Sequence, residues 1–306
     1  MGKKVFVLPP GEGWIVDRFV DEWNIDNADI SVSHPRDADV IWLYADWCWS
    51  RLAAPGLLSG KKVITTIHHI VPEKFDQAAK NEFNIRDTYT TVYHVPNKYT
   101  EEFVRKLTNK PIHVIPYWAN QNIWRPTSDK KTLRQKYGVP DDAYVFGSFQ
   151  RDTEGASVDG PSPLPKLEKG PDVLCDFIID DVASWIADTH VLLSGWRRQY
   201  VISRLKKAGV LYTYVERPTQ DVVNELYQCI DMYAVSARHE GGPQALIECG
   251  LLNIPVVSTP VGMADQVLPE EAINKELGLA KPRVPNVEAL KLPAGYSPYR
   301  ELIERL

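Results

Sequence analysis

Two carboxylates, Glu240 and Glu248, flank a glycine pair and a proline in the segment Ser236-Ala-Arg-His-Glu-Gly-Gly-Pro-Gln-Ala-Leu-Ile-Glu248. The segment reads as a strand end, a turn at Gly241-Gly242 and a helix start at Pro243, where proline's fixed φ and missing N–H are tolerated. Backbone N–H groups at such a start face an anion. Glu248 lies two turns along the helix, on roughly the same face as the turn. One acid at the rim and one on the helix can together grip two polyhydroxylated groups, a sugar and a ribose. Taken singly, Glu240 reads first as a capping acid and Glu248 first as a solvated surface acid, ahead of a ligand role for either. The pair in its strand–turn–helix setting is the stronger signal.

The rest of the chain supplies elements that could position such a pair. Short Val/Ile-rich runs with little alternation mark strands at Lys4–Leu8, Val40–Tyr44, Lys62–Ile67, Thr91–His94 and His113–Ile115. Such runs suit parallel strands covered on both faces. Ile15–Trp23 and Lys98–Leu107 read as helices between them. A polar stretch from Asn120 to Asp129, with Pro126, then interrupts the pattern and sets a domain boundary at 126/127. The same alternation restarts with strands at Tyr144–Ser148, His190–Ser194, Leu211–Tyr214, Met232–Val235 and Val256–Ser258. Its helices are Pro171–Ile179, Arg198–Ala208, Asp221–Cys229 and Gln244–Leu251. Gln150 to Glu168 is rich in Gly, Ser, Pro and Asp and reads as a long exposed loop. The expectation is an α/β chain of two Rossmann-like, doubly wound domains, 1–126 and 127–296, facing each other across a cleft. A short helix at 297–306 is expected to cross back onto the first domain. Ligands of such sheets bind at the carboxyl ends of the strands, which leaves dehydrogenases, kinases, binding proteins and glycosyltransferases open.

Composition narrows the classes. The 306 residues are 44% hydrophobic and 25% charged, ordinary for a folded soluble chain, with a net charge of -5 that argues against a protein held on nucleic acid by phosphate neutralisation. Cys48, Cys175, Cys229 and Cys249 are scattered without a CxxC pair, which fits a reducing cytosol better than a disulfide framework or zinc site. No run is long enough for a membrane span, although peripheral membrane contact stays open. The oligomeric state is unreadable.

The Glu240–Glu248 segment, followed by Ile254-Pro-Val-Val-Ser-Thr-Pro-Val-Gly262, resembles the E-x7-E signature of retaining glycosyltransferases of family four. Gly242 stands where that family has Phe, Cys249 where it has Ala, and Asp265 where it usually has Glu. Leu133-Arg-Gln-Lys-Tyr-Gly-Val-Pro and Tyr144-Val-Phe-Gly-Ser-Phe-Gln-Arg151 resemble its entry into the donor domain. Lys169-Gly170-Pro-Asp-Val-Leu174 resembles its K-G-x-x-x-L helix. The resemblance implies a GT-B fold and metal-independent transfer of a sugar from a UDP- or GDP-sugar to a hydroxyl of a glycan, lipid-linked sugar or other small molecule. The donor is a substrate, and no cofactor is implied. Glu240 would meet the donor sugar, and Glu248 the ribose. Arg151 and Lys169 would clamp the diphosphate, whose charge grows as it departs. Residues 152–168 separate the two cations where the family keeps them close; Lys166 is an alternative that could share the role, and Lys169 is the better match because Gly170 follows it.

The first half matches more weakly. Gly11-Glu-Gly13 resembles the family's glycine turn near the donor phosphates, and Val63-Ile-Thr-Thr-Ile-His68-His69 its T-x-H-D strand end. On that reading His68 lies near the transferred sugar; a core or surface histidine is the competing view. Trp42, Trp47 and Trp49 around Asp46 read first as packing and second as an acceptor platform. The implied site is thus Glu240, Arg151, Lys169 and His68 for catalysis, with Glu248, Gly241, Gly242, Pro243, Gly13 and Gly262 for the donor. A nicotinamide enzyme would need a third glycine after Gly13, which is missing. A non-catalytic nucleotide-sugar or carbohydrate binding module, and a nucleic-acid-modifying sugar transferase, stay as rivals.

Overall fold

The computed structural model describes residues 2–13, 15–154, 164–182, 186 and 188–306. The chain forms two compact units, Met1–Trp118 with Leu292–Leu306, and Ala119–Lys291. The middle of the glycine- and serine-rich stretch expected as a loop, 155–163, lies outside the described residues.

In the first unit the order is β1 (Val5–Val7), α1 (Ile15–Asp26), β2 (Val40–Leu43), α2 (Ser50–Ala53), β3 (Lys62–Thr66), α3 (Gln77–Tyr89), β4 (Val92–Val95), α4 (Lys98–Val104) and β5 (Ile112–Val114). The sheet runs β1-β2-β3-β4-β5, all parallel, with Val5 opposite Val40 and Val40 opposite Lys62. On the other side of β1, a single parallel bridge joins Val5 to Ser31. Val5 N donates to Ile30 O at 2.9 Å, and Val32 N to Val5 O at 2.9 Å. The chain therefore leaves β1 toward one edge and returns past it to β2, so this sheet is doubly wound with a sixth strand shortened to one bridge. The direction reverses between β1 and β2, at the loops after Leu8 and after Leu43.

The second unit contains α5 (Lys130–Tyr137), β6 (Tyr144–Phe149), α6 (Pro171–Asp176), β7 (Thr189–Ser194), α7 (Gln199–Ala208), β8 (Leu211–Val215), α8 (Gln220–Cys229), β9 (Met232–Val235), α9 (Gln244–Leu251), β10 (Val256–Ser258) and α10 (Ala264–Val267). Its sheet order is β10-β9-β6-β7-β8, again parallel, with the switch of direction between β6 and β9. Its core gathers Phe146, Leu174, Ile178, Val191, Leu193 and Leu205.

The last helix, α11 (Ser297–Arg305), belongs to the first unit: Tyr299 Oη donates to Pro116 O at 2.9 Å, and Arg300 pairs with Asp29 at 2.6 Å. The first unit's core is aromatic. Trp23 meets Trp42 edge-on at 5.1 Å, and Trp42 lies 5.3 Å from Tyr299. Each such ring removes roughly 150–250 Å² from water, on the order of 4–6 kcal/mol by area. Trp118 lies 4.9 Å from Phe19 in that core, whereas Trp124 packs on Tyr227 of the second unit. The first crossing therefore falls between Trp118 and Ala119, ahead of the 126/127 boundary that Pro126 suggests. Among the described residues, no helix is long and apolar enough to cross a membrane.

Candidate functional site

The second sheet's switch point opens between β6 and β9, and the loops leaving those two strands carry most of the residues singled out by the sequence. Arg151 follows β6. The Ser236–Pro243 loop follows β9 and delivers the chain into α9, with Pro243 as its N-cap residue. Lys169 ends a 3-10 turn, Leu167–Lys169, just before α6.

A close contact between two backbones joins these loops. Gly170 has φ 59°, and a Cβ placed on it would lie 1.8 Å from Ser236 O. Only glycine fits. The amides of Arg238 and His239 both donate to Glu168 O, at 2.9 and 3.1 Å. The Arg238 guanidinium closes a bidentate pair on Asp172 at 2.8 and 2.6 Å. Thus anchored, the Lys169 ammonium makes a direct ion pair with Glu240 Oε1. Lys166 pairs instead with Glu168, at 3.5 Å. Gly262 supports the same loop from beneath: a Cβ there would lie 2.8 Å from Pro243 Cδ and 2.9 Å from Gly241 O.

Glu248 is not a solvated acid. It is 7% exposed, and its Oε2 accepts a 2.6 Å hydrogen bond from Tyr227 Oη. Tyr227 comes from α8 and is gripped by Phe149 at 4.7 Å and Tyr233 at 5.6 Å. Burial first, then the Glu248 charge, holds the Tyr227 hydroxyl well above the usual tyrosine range, so it stays a donor.

Arg151 sits over the indole of Trp196, 4.6 Å from the ring centroid, and Arg217 lies at 4.4 Å and Arg197 at 5.9 Å from the same ring. Three guanidinium groups thus share one aromatic face-forming residue at the carboxyl ends of β6, β7 and β8, each contact worth roughly 0.5–1 kcal/mol when exposed. Arg197 and Arg217 have φ 60° and 47°, the left-handed region that non-glycine residues seldom occupy. The loop behind them is fixed by a fully buried pair. Arg198 Nε donates to Asp152 Oδ2 at 2.6 Å, and its other nitrogens reach Ser194 O at 2.9 Å and Ser148 Oγ at 3.0 Å. Sequence reasoning missed Trp196, Arg217 and Tyr227. The one legible signal was Trp196-Arg197-Arg198 directly after a strand, a dense aromatic and basic run where the sheet binds ligands.

In the first unit, the Gly11, Glu12 and Gly13 amides all donate to the Asp17 carboxylate, at 2.8 Å each. The turn expected to meet phosphate is thus already wrapped around an anion from α1. His68 Nε2 faces Tyr44 O at 2.8 Å, so it donates there, and Nδ1 accepts from Tyr117 Oη at 2.5 Å. Both ring nitrogens are engaged by protein. Burial lowers the His68 pKa, against the opposing pull of Asp46. Trp42 is a core residue whose Nε1 donates to Thr66 Oγ1 at 2.8 Å, while Trp47 is exposed and Trp49 donates to Glu82 at 3.2 Å. The three tryptophans do not form one platform.

No protein-family model matches the sequence, and no curated protein is similar to it in sequence. Solved structures are similar in fold. HepE of Anabaena, in complex with UDP and glucose, superposes with a TM-score of 0.70 at 15% identity, covering 89% of this chain and 84% of that one. A glycosyltransferase from Rickettsia africae gives 0.60 at 15% identity, covering 91% and 87%. WaaG, a glycosyltransferase involved in lipopolysaccharide biosynthesis, gives 0.57 at 13% identity, covering 84% and 81%. The two parallel five-stranded sheets of this chain are those of the GT-B glycosyltransferase fold.

Proposed function

We propose that the protein is a retaining glycosyltransferase that moves a sugar from a nucleotide-diphosphate sugar to a hydroxyl acceptor without a metal ion. The observation that carries this reading is the Lys169–Glu240 ion pair at the switch point of a GT-B sheet. It sets a cation for a diphosphate beside a carboxylate for a sugar hydroxyl, where such sheets bind ligands. HepE, of the same fold, has been solved with UDP-glucose, which supports a nucleotide sugar as the donor class.

In this reading the bond between the sugar's anomeric carbon and the diphosphate oxygen breaks, and the acceptor oxygen bonds to that carbon on the same face. The acceptor proton passes to the departing phosphate oxygen, leaving a glycoside and a nucleoside diphosphate. Lys169 stabilises the charge gathered on the leaving group; Arg151 joins it by leaving Trp196. Preorganised donors of this kind lower the barrier by about 3–4 kcal/mol each. Glu240 orients a donor-sugar hydroxyl, and Glu248, steadied by Tyr227, takes the ribose. Gly241, Gly242 and Pro243, underpinned by Gly262, let the donor approach the backbone. His68 reaches a substrate by exchanging its bond to Tyr117, and Gly13 takes phosphate by displacing Asp17.

The test is calorimetric titration with UDP, GDP and their sugar derivatives, followed by product analysis. Binding of one diphosphate, and turnover of its sugar to an α-linked product from an α-linked donor, is the expected result. A chain that binds none of them has a different function.

A further inference from the structure

A pocket of about 310 Å³ opens in the first unit between the ends of β2 and β3 and helix α3. Asp46 and Trp47 come from the loop after β2, Val71 and Phe75 from the stretch after β3, and Glu82 and Arg86 from α3. Arg86 is 6% exposed. One terminal nitrogen pairs with Asp46 Oδ2 at 3.0 Å, and its guanidinium lies 5.5 Å from the Phe83 ring. Its Nε is buried and has no hydrogen-bond partner among the described residues. Trp47 forms part of the wall and leans on His68 at 5.9 Å, so the pocket lies one ring away from that histidine.

The chemistry of the lining selects a class. Its volume is at the lower end of ligand-sized pockets, about 300–1,000 Å³, room for one ring rather than a chain. Indole and phenyl faces stack on the C–H face of a sugar, while the Asp46 and Glu82 carboxylates accept from hydroxyls. Two acids, Asp46 and Glu82, stand against two cations, Arg86 and Lys74. That balance gives a phosphate or carboxylate no net attraction. We propose that this pocket binds a neutral pyranose ring and, resting on the transferase reading above, that it is a subsite for the acceptor.

The test uses the full chain and two variants, Trp47→Ala and Glu82→Gln. Methyl α-glucopyranoside, methyl α-mannopyranoside, methyl β-galactopyranoside and glucose 6-phosphate are titrated by saturation-transfer NMR, with UDP titrated separately. At least one neutral glycoside should bind and lose tenfold or more in affinity in both variants, while Glu82→Gln leaves UDP binding unchanged. The proposal falls if no glycoside binds at 100 mM or if both variants bind as the parent does. Tighter binding of glucose 6-phosphate than of any neutral ring also overturns it, because the pocket is then an anion site. Failure of UDP to bind the parent chain counts against the donor reading and leaves the pocket result to stand by itself.

Discussion

The Lys169 ammonium lies in direct contact with the Glu240 carboxylate, with about a sixth to a fifth of each side chain still open to solvent (19% and 17%). Removing one partner of a pair so far withdrawn from water leaves the other charge uncompensated, which costs more than losing an exposed pair, and the remaining opening keeps both groups within reach of a ligand. Lys169→Met should lower kcat by at least about 100-fold and also lower the melting temperature, so the rates are compared well below the melting range of both proteins. Glu240→Gln should leave the UDP dissociation constant within about twofold and depress transfer, because its partner on the substrate would be the sugar. A silent Lys169→Met alongside a crippled Lys166→Met would move the clamp to Lys166.

Glu248 and Tyr227 form a second pair with a different readout. If Glu248 takes the ribose, Glu248→Gln should weaken binding of sugar-free UDP by about tenfold or more, since a hydrogen bond to a charged group is worth about 1.5–3 kcal/mol. Tyr227→Phe removes only the donor that steadies the carboxylate, and should weaken UDP severalfold with kcat unchanged. Calorimetry on both variants decides. Unchanged UDP affinity in Glu248→Gln would leave the acid a structural role alone.

Backbone contact makes a sharper claim at Gly170. Gly170→Ala must accommodate a methyl 1.8 Å from Ser236 O at φ 59°. The left-handed strain and the overlap together should cost roughly 2–5 kcal/mol. Gly138→Ala is the control: its φ is 65°, yet nothing lies within 4 Å of the added carbon. Backbone strain alone there costs about 1 kcal/mol. Urea unfolding should separate the two, and equal losses would mean that the Gly170 contact is not made.

The pH dependence follows from histidines held neutral. His94 Nε2 donates to Ile115 O at 2.9 Å, and Nδ1 accepts from the Thr66 hydroxyl at 2.9 Å. Burial holds its pKa down to about 3, and burial lowers His68, His113 and His190 as well. A histidine depressed in the fold takes up protons more readily when unfolded. Its stabilisation is therefore complete above the unfolded pKa of about 6.5 and is lost as pH falls toward the folded value. His94 alone should cost about 1.4 kcal/mol per pH unit below about 6.5, or roughly 2 kcal/mol at pH 5. Unfolding free energies between pH 7.5 and 5 test this, with His94→Gln expected to reduce the slope by one proton.

The proposed clamp also predicts indifference to chelation. Transfer should persist at full rate in EDTA. Activity abolished by EDTA and restored by Mg²⁺ or Mn²⁺ would place the enzyme in another mechanistic class.

The doubly wound sheets were readable because parallel strands covered on both faces are short continuous apolar runs. Met232–Val235 and Val256–Ser258 fall where those runs lie, and the other strands differ by a residue or so at their ends. Helix α3 was not readable. Its sequence is mostly polar and buries only Phe83 and Arg86, so its apolar stripe is too thin to set a period. The edge at Ser31 escaped for a related reason: one bridge needs no run of residues. At the site, acids and glycines with fixed spacing were legible as a local pattern. Tyr227 beneath Glu248 and Trp196 beneath Arg151 were not, because each pair is made by sheet order rather than by neighbours in sequence.

The edges of the two sheets differ in how readily they could template another chain. Beyond β1 the pairing ends in one bridge at Ser31, with Pro35 soon after. At the other margin β5 has only Ile112–Val114 between Pro111 and Pro116. Strands so short, bounded by residues without an N–H, offer few bonds to an incoming strand. In the second sheet β10 is similarly short, and Val256 is bridged to Arg283 on its outer side. The margin at β8 is longer, Leu211–Val215, with Leu211 68% exposed. Of the four margins, β8 is therefore the one best able to accept an incoming strand.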